Sequence, residues 1–352
     1  MPSHTISELK KAVRDGSSCT AEIHAQIEKL LLKETSNGKP FFEVILRDAG
    51  EGLTLKAWND SAAFEACGDL AQGDFVRVAG TFAKTPFGTE SRDWRPSLLE
   101  DDRVEALLMG SSDRRALLER CDTLIRSAVD RIADPRLRSL CSRFLELYGN
   151  RFRRAAAARG NHHARRGGLL EHTARMMEAA MALCSVYPEL NRDLVVAGVL
   201  FHDSGKLWET CPPECGFGIE TESRGELLGH VSVGIELVNT LWREVPKEDW
   251  EDLSPPSEEV RLHLLHLVAS HHGQLEFGAP VLPKTPEAAL LHFVDNIDAR
   301  MEMFFAAGIT GSTGTREWVK PLGVVPFPPL PAFAPPATQP DPVTESPTDL
   351  LL

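Results

Sequence analysis

The chain has 352 residues, 42% of them hydrophobic and 25% charged, with a formal net charge of −13. That balance is ordinary for a globular protein of about two domains, and it excludes collagen-like, coiled-coil and wholly disordered chains. No run of about 18 apolar residues occurs and the N-terminus lacks an apolar signal core, so neither a membrane span nor a membrane partner is expected, and a cytoplasmic location is.

The seven cysteines stand at 19, 67, 121, 141, 184, 211 and 215. An odd, scattered set in a long chain argues against a disulfide framework. Cys211 and Cys215 are close, but no two further zinc ligands lie nearby, and they read as loop thiols. The acidic total argues against duplex binding over the whole surface. The charge is uneven, however: Asp113 to Arg166 holds fourteen arginines against six acidic residues. A local basic stretch on an acidic chain suits a small anionic site.

Along the chain, residues 1–20 are polar with no clear pattern. Residues 21–33 (AEIHAQIEKLLLK) have helical spacing, yet their context also fits a first strand. PFFEVILRD, LTLKAWND and GDFVRVAGTFAK then read as strands separated by Gly-containing turns, with a short helix at SAAFEACGDL. Short strands over about 85 residues suggest a small β-barrel. From Asp113 the apolar residues recur at three- and four-residue spacing in 113–133, 136–149, 168–185, 191–202, 229–244, 257–271 and 285–306, which predicts an all-helical domain. The tail from Pro321 holds ten of the 24 prolines and reads as extended and disordered. The expected division is 1–108, 109–318 and 319–352.

Ten of the twelve histidines fall between 162 and 292. His172 sits in GGLLEHTARM, His202 and Asp203 in VLFHDSGK, His230 in GHVSVG, His271 and His272 in ASHHG, and Asp295 in LLHFVDNIDARM. Imidazole and carboxylate suit divalent first-row metals, and ligands on separate helices can converge in a bundle. A cation held there acidifies water, and two can clamp both oxygens of a phosphodiester. One such histidine is ordinary; this many in separate helical contexts point to a metal centre.

These residues match the H…HD…D pattern of the HD-domain metal-dependent phosphohydrolases. HHARRGGLLEHT, LFHDSGK, GHVSVG and SHHG…GAPVLPKTPEAALLHFVDNIDA further resemble the YhaM family of 3′→5′ exoribonucleases. That family joins an N-terminal OB-fold to a C-terminal HD domain. GKPFFEVILRD…LKAWND…GDFVRVAGTF resembles its OB segment. The likeness spans about residues 20–310 and is strongest in 160–300. It implies a multidomain chain, a small OB-like β-barrel followed by an all-α HD bundle. It implies that His172, His202, Asp203 and Asp295 hold one ion, and that His230, His271 and His272 complete a second site with Asp203 bridging. Manganese is the expected ion, with iron, cobalt, nickel and zinc as alternatives. The implied partner is single-stranded RNA or an oligonucleotide.

Three further groups are candidates. Lys206 follows the His-Asp pair by three residues, a position that approaches phosphate in HD enzymes. His163 is a candidate for the scissile phosphate or for fixing its loop. Arg165 and Arg166, with Arg151, Arg153, Arg154 and Arg159, run into the first metal motif as phosphate guides or as a solvated connector. Glu171 and Asp298 are candidates to orient ligands, and His263, His266 and His292 read as ordinary helix residues. Among Phe41, Phe42, Trp58, Phe75 and Phe82, most are expected in the core, and Trp58 is the best base-stacking candidate. The acidic segment 243–258 and the Pro-rich tail depart from the family and favour a second reading, a phosphohydrolase or cyclic-nucleotide phosphodiesterase acting on small nucleotides. A nucleic-acid-binding adaptor with a degenerate HD domain is the third. Homo-oligomerisation and a partner for the tail stay open.

Overall fold

The computed structural model describes residues 3–13, 16–86, 88–91, 93–159, 163–219, 221–245, 250, 252–306, 318–327 and 329–330. The chain divides into a large unit, residues 1–303, and a small one, residues 304–352. The described part of the small unit holds one β-bridge, Val319 to Val324. Residues 331–352 of the Pro-rich tail, and 246–249 and 251 of the acidic segment, lie outside the described residues.

The large unit begins with a β half. Its elements are β1 (Ser3–His4), α1 (Ile6–Ala12), β2 (Ser18–Glu34), β3 (Pro40–Arg47), β4 (Gly52–Trp58), α2 (Ala62–Cys67), β5 (Phe75–Thr85), β6 (Gly88–Ser91) and β7 (Arg95–Leu98). The patternless stretch 1–20 thus contains a helix, started by a capping box in which the Thr5 side chain accepts from Glu8 N and Glu8 accepts from Thr5 N. The ambiguous 21–33 is strand. Ala21, Ile23, Ala25 and Ile27 alternate into the core and are all buried, so the period-two pattern prevails over the helical spacing.

Long β2 organises the sheet, pairing antiparallel with β5 through residues 18–26 and with β3 through 26–34. A register shift between Ile27 and Lys29 marks the change of partner, where a bulge bends the strand. The order is β4-β3-β2-β5-β6, with β1 parallel to β2 and β7 antiparallel to β5. β4 and β6, at opposite ends of this path, come close to one another, but no ladder joins them among the described residues. The half is a partly open, OB-like barrel. Along β4, Leu53, Leu55 and Ala57 face its core while Thr54, Lys56 and Trp58 face out.

The second half is helical: α3 (Asp101–Met109), α4 (Ser112–Asp130), α5 (Pro135–Arg154), α6 (Gly168–Val186), α7 (Arg192–Phe201), α8 (Lys206–Glu209), α9 (Ser223–Glu244), α10 (Ser257–Ser270) and α11 (Pro286–Ala306). One contiguous core, including Phe144, Phe152, Leu200, Phe201, Leu264 and Leu291, joins α4 to α11. α5 starts on Asp134, whose side chain accepts from Arg136 N and Leu137 N, with Pro135 at the first helical position. The expected helices are all present. Three features were not expected from the sequence: α3, four-residue α8, and an extra leading turn on α9. Gly229 (φ 69°) separates that turn from the rest of α9, a left-handed conformation that glycine tolerates.

Candidate metal centre

Five helical elements deliver the site. α6 carries His172 one turn in, α7 ends at His202 and Asp203, α9 restarts at His230 after Gly229, α10 ends at His271 and His272, and α11 carries Asp295. The chain after Asp203 packs tightly on α9: a Cβ at Gly205 would lie 1.9 Å from His230 O.

The side chains form two groups sharing Asp203. Asp203 Oδ2 is 3.3 Å from His202 Nε2 and 3.8 Å from His172 Nε2, and Asp295 Oδ1 is 3.3 Å from His172 Nε2. Asp203 Oδ1 is 3.6 Å from both His230 Nε2 and His271 Nε2, and His230 Nε2 is 3.1 Å from His272 Nε2. His172, His202, Asp203 and His271 are buried, and His230 and His272 are partly so.

Four rings are oriented from behind. His202 Nδ1 lies 2.8 Å from Val199 O and His271 Nδ1 lies 2.8 Å from Val268 O. Carbonyls only accept, so both rings carry hydrogen on Nδ1 and turn Nε2 to the cluster. His172 Nδ1 meets Asp298 Oδ2 at 2.7 Å, and His230 Nδ1 meets Glu209 Oε2 at 2.9 Å. Nδ1 pinned to an acceptor with Nε2 turned inward is the arrangement of metal-binding histidines. Glu209, on α8, was not singled out from the sequence, because a lone glutamate six residues after an aspartate carries no pattern.

The donors fit a cation. Asp203 Oδ1 and His271 Nε2 are buried, are both acceptors, and have no hydrogen-bond partner among the described residues. Each such orphan costs about 1–3 kcal/mol, which a cation between them would relieve. Donors held about 2.1 Å from a shared ion lie roughly 3–4 Å apart, as the spacings of 3.1–3.8 Å here do. Burial pushes the Asp203 carboxyl up, but Lys206 and His202 outweigh it and hold it well below the usual range. Asp295 is likewise depressed against burial by its hydrogen bond to His172. Burial holds the His271 imidazole well below its ordinary value, and lowers His272 too. His172 goes the other way: burial lowers it, but Asp295 and Asp298 push it up to about 9.

The other candidates are placed as follows. Lys206 Nζ donates to Asp203 Oδ2 at 2.6 Å from the edge of the cluster. His163 is fully buried behind it (φ 48°), with Nε2 2.9 Å from the same Asp298 oxygen that holds His172. Arg165 pairs with Glu302 at 2.7 Å and Glu171 at 3.0 Å, and Arg114 and Arg175 also pair with Glu171. Burial raises the Glu171 carboxyl, but Arg165 and Arg114 bring it down to about 2. His163, Glu171 and Glu302 approach closely enough to suggest a further cation site, but arginines already neutralise the carboxylates. Arg166 donates to the carbonyls of Pro213, Glu214 and Gly216 at 2.8–2.9 Å. His292 Nδ1 lies 3.0 Å from His271 O, bracing the ligand-bearing turn. Trp58, 40% exposed, lies far along the chain in the β half against Phe41, ring centroids 4.9 Å apart.

Residues 169–300 match the HD domain. The HD domain implies metal-dependent phosphohydrolase chemistry and a divalent metal, and both groups around Asp203 lie inside the matched range. Solved structures similar to the chain include a Klebsiella pneumoniae lipoprotein provisionally described as nucleic acid-binding: 15% identity, 28% of this chain and 92% of that one covered, TM-score 0.24. Another is the second OB-fold domain of replication protein A from Methanococcus maripaludis: 18% identity, 24% and 86% covered, TM-score 0.19. No helix of the described residues is long and apolar enough to cross a membrane.

Proposed function

We propose that the chain is a 3′→5′ exonuclease that hydrolyses single-stranded RNA at a two-ion centre in its HD domain. The observation that carries the reading is the shared carboxylate: Asp203 turns Oδ2 to His172 and His202 and Oδ1 to His230 and His271. His172, His202, Asp203 and Asp295 would hold one ion. Asp203, His230, His271 and His272 would hold the other. Ions so held supply Lewis acidity toward phosphoryl oxygens and acidify water; manganese suits this nitrogen and oxygen set, as do iron, cobalt, nickel and zinc.

The protein's own groups do the rest. Asp298 and Glu209 fix the outer nitrogens of His172 and His230, so the donors are preorganised. Lys206, held on Asp203 at the rim, is the cation placed to turn toward an incoming phosphate. His163 keeps Asp298 oriented from the buried side. In the β half, Trp58, Phe41 and Lys56 make an outward platform, with Lys56 Nζ 5.8 Å from the Trp58 ring. An exposed Trp58 backed by partly buried Phe41, beside a cation, is the equipment for stacking bases of a single strand. The acidic chain as a whole favours one strand end over broad duplex binding.

The test is 5′-labelled single-stranded RNA incubated with protein and Mn²⁺ and resolved by length over time, with Asp203→Ala alongside. A descending ladder from wild type only is expected. RNA left intact by metal-loaded wild type, with turnover of mononucleotides or cyclic nucleotides instead, would replace this reading with a small-nucleotide phosphohydrolase.

A further inference from the structure

The loop after α8 leaves the metal centre and reaches the β half. It starts at Glu209, which holds His230. Thr210 Oγ1 then donates to Ala156 O at 2.6 Å, and Ala156 N donates to Thr210 O at 3.0 Å, anchoring the loop to the helical half. Residues 213–216 are gripped by Arg166, whose guanidinium donates to three of their carbonyls. Arg166 itself stands just before α6, six residues ahead of His172. The start of this loop therefore holds a residue that faces Asp203, and its middle is held by the segment that leads into the His172 helix.

Its far end is fastened to β2. Phe217 N donates to Gln26 Oε1 at 2.7 Å, and Gln26 Nε2 donates to Gly73 O at 3.0 Å. Gln26 is 8% exposed and Phe217 2%. The Phe217 ring meets Phe75 of β5 edge-on, centroids 6.2 Å apart. Gly216 leaves room for this contact: a Cβ there would come within 2.9 Å of Pro213 Cγ and 3.2 Å of the Gln26 amide. Gln26 is the residue at which β2 passes from β5 to β3, so the fastening is at the middle of the sheet. A buried polar group paired at both its amide nitrogen and its oxygen specifies one arrangement of the parts it joins.

We infer that residues 212–217 are a strap, and that Gln26 is a positioning residue. Gripped by Arg166 on one side and Gln26 on the other, the strap fixes the β half in register with the metal cluster. A strand held on the β half then reaches the cluster at a set distance. A phosphodiester too short to touch both halves gains nothing from that register. The inference rests on the exonuclease reading and adds the element that would make the enzyme favour long strands over short ones.

The experiment uses the full-length chain, wild type, Gln26→Ala and Gly216→Ala, loaded with Mn²⁺. Two substrates are compared: bis(p-nitrophenyl) phosphate, and RNA of about 20 nucleotides, longer than the roughly 4–16 that one OB fold covers. Hydrogen exchange at the Phe217 amide is followed in parallel. For both variants KM on the RNA is expected to rise about tenfold with kcat held within about twofold, the mark of lost binding and not of lost chemistry. Turnover of the small diester stays at the wild-type level, and the Phe217 amide loses protection in Gln26→Ala. Equal losses on both substrates would overturn the inference, because the strap would then only support the metal fold. Unchanged KM on RNA despite lost protection would overturn it as well. Wild type that turns over the diester but leaves the RNA intact would overturn the exonuclease reading and this inference with it, an outcome distinct from variants that match wild type.

Discussion

Asp203 Oδ1 stands 3.6 Å from His271 Nε2, both atoms buried and neither with a hydrogen-bond partner among the described residues. Two buried acceptors facing each other are unfavourable unless a proton or a cation joins them, and burial disfavours the proton on His271. The metal reading grows from this pair, and so do its consequences.

The outer partners should separate the two groups. Glu209→Gln leaves the carbon skeleton but weakens the hold on His230 Nδ1, whereas Asp298→Asn acts on His172. Each should cost about 10–100-fold in metal affinity. Titration followed by metal analysis should show Glu209→Gln retaining one ion per chain under conditions where wild type keeps two, and likewise for Asp298→Asn. Wild-type stoichiometry in both variants would show that these contacts do not orient ligands.

Metal loading should release protons. Against the lowering effect of burial, Asp295 and Asp298 push His172 up to about 9, so at pH 7 the metal-free ring holds a proton that an ion must displace. Apparent affinity should therefore rise with pH up to about 9 and fall on acidification. Calorimetric titration in buffers of different ionisation enthalpy reads the released proton directly; identical heats in all buffers would contradict the assignment.

Trp58→Ala should weaken single-stranded RNA binding by about 1–3 kcal/mol for each base stacked on the platform, without changing hydrolysis of a small diester. Fluorescence anisotropy at fixed salt measures it. An unchanged affinity would remove Trp58 from the binding surface.

Arg136 anchors the helical half. It is buried and pairs with Asp134 at 2.7 Å while donating to Pro255 O at 2.6 Å. Arg136→Ala should cost about 3–5 kcal/mol, read by denaturant unfolding. Burial raises the Asp134 carboxyl, but Arg136 holds it below its ordinary value. The folded pKa is thus depressed, so this contribution is complete above the unfolded value of about 3.9 and is lost as pH falls through the folded one. A cost under about 1 kcal/mol would mark the pair as dispensable.

The candidate metal ligands were legible because histidine and aspartate on helices and helix ends carry chemistry in their identity. His172, His202, Asp203, His230, His271, His272 and Asp295 are all brought within one cluster. What lies behind them was hidden. Val199 and Val268 act through carbonyls, which no side-chain pattern reports, and Glu209 acts from a four-residue helix too short for periodicity. The arginines before α6 invited a phosphate reading from charge alone, yet Arg165 is paired to Glu171 and Glu302, and Arg166 to three carbonyls. Charge shows in a sequence; the partners that fold up against it, such as Glu302 or the carbonyls of 213–216, do not. In the β half β3, β4 and β5 were legible by alternation and β2 only in part, whereas two- to four-residue β1, β6 and β7 are too short to show a period, and α1 was signalled only by the Thr5–Glu8 capping box.

The most direct measurement is metal content by mass spectrometry of protein loaded with Mn²⁺ and freed of excess, for wild type and Asp203→Ala. Two ions per chain in wild type and at most one in the variant, at unchanged folded-state circular dichroism, is the result a carboxylate shared by two sites requires. No bound ion in wild type, or two in both proteins, would contradict it.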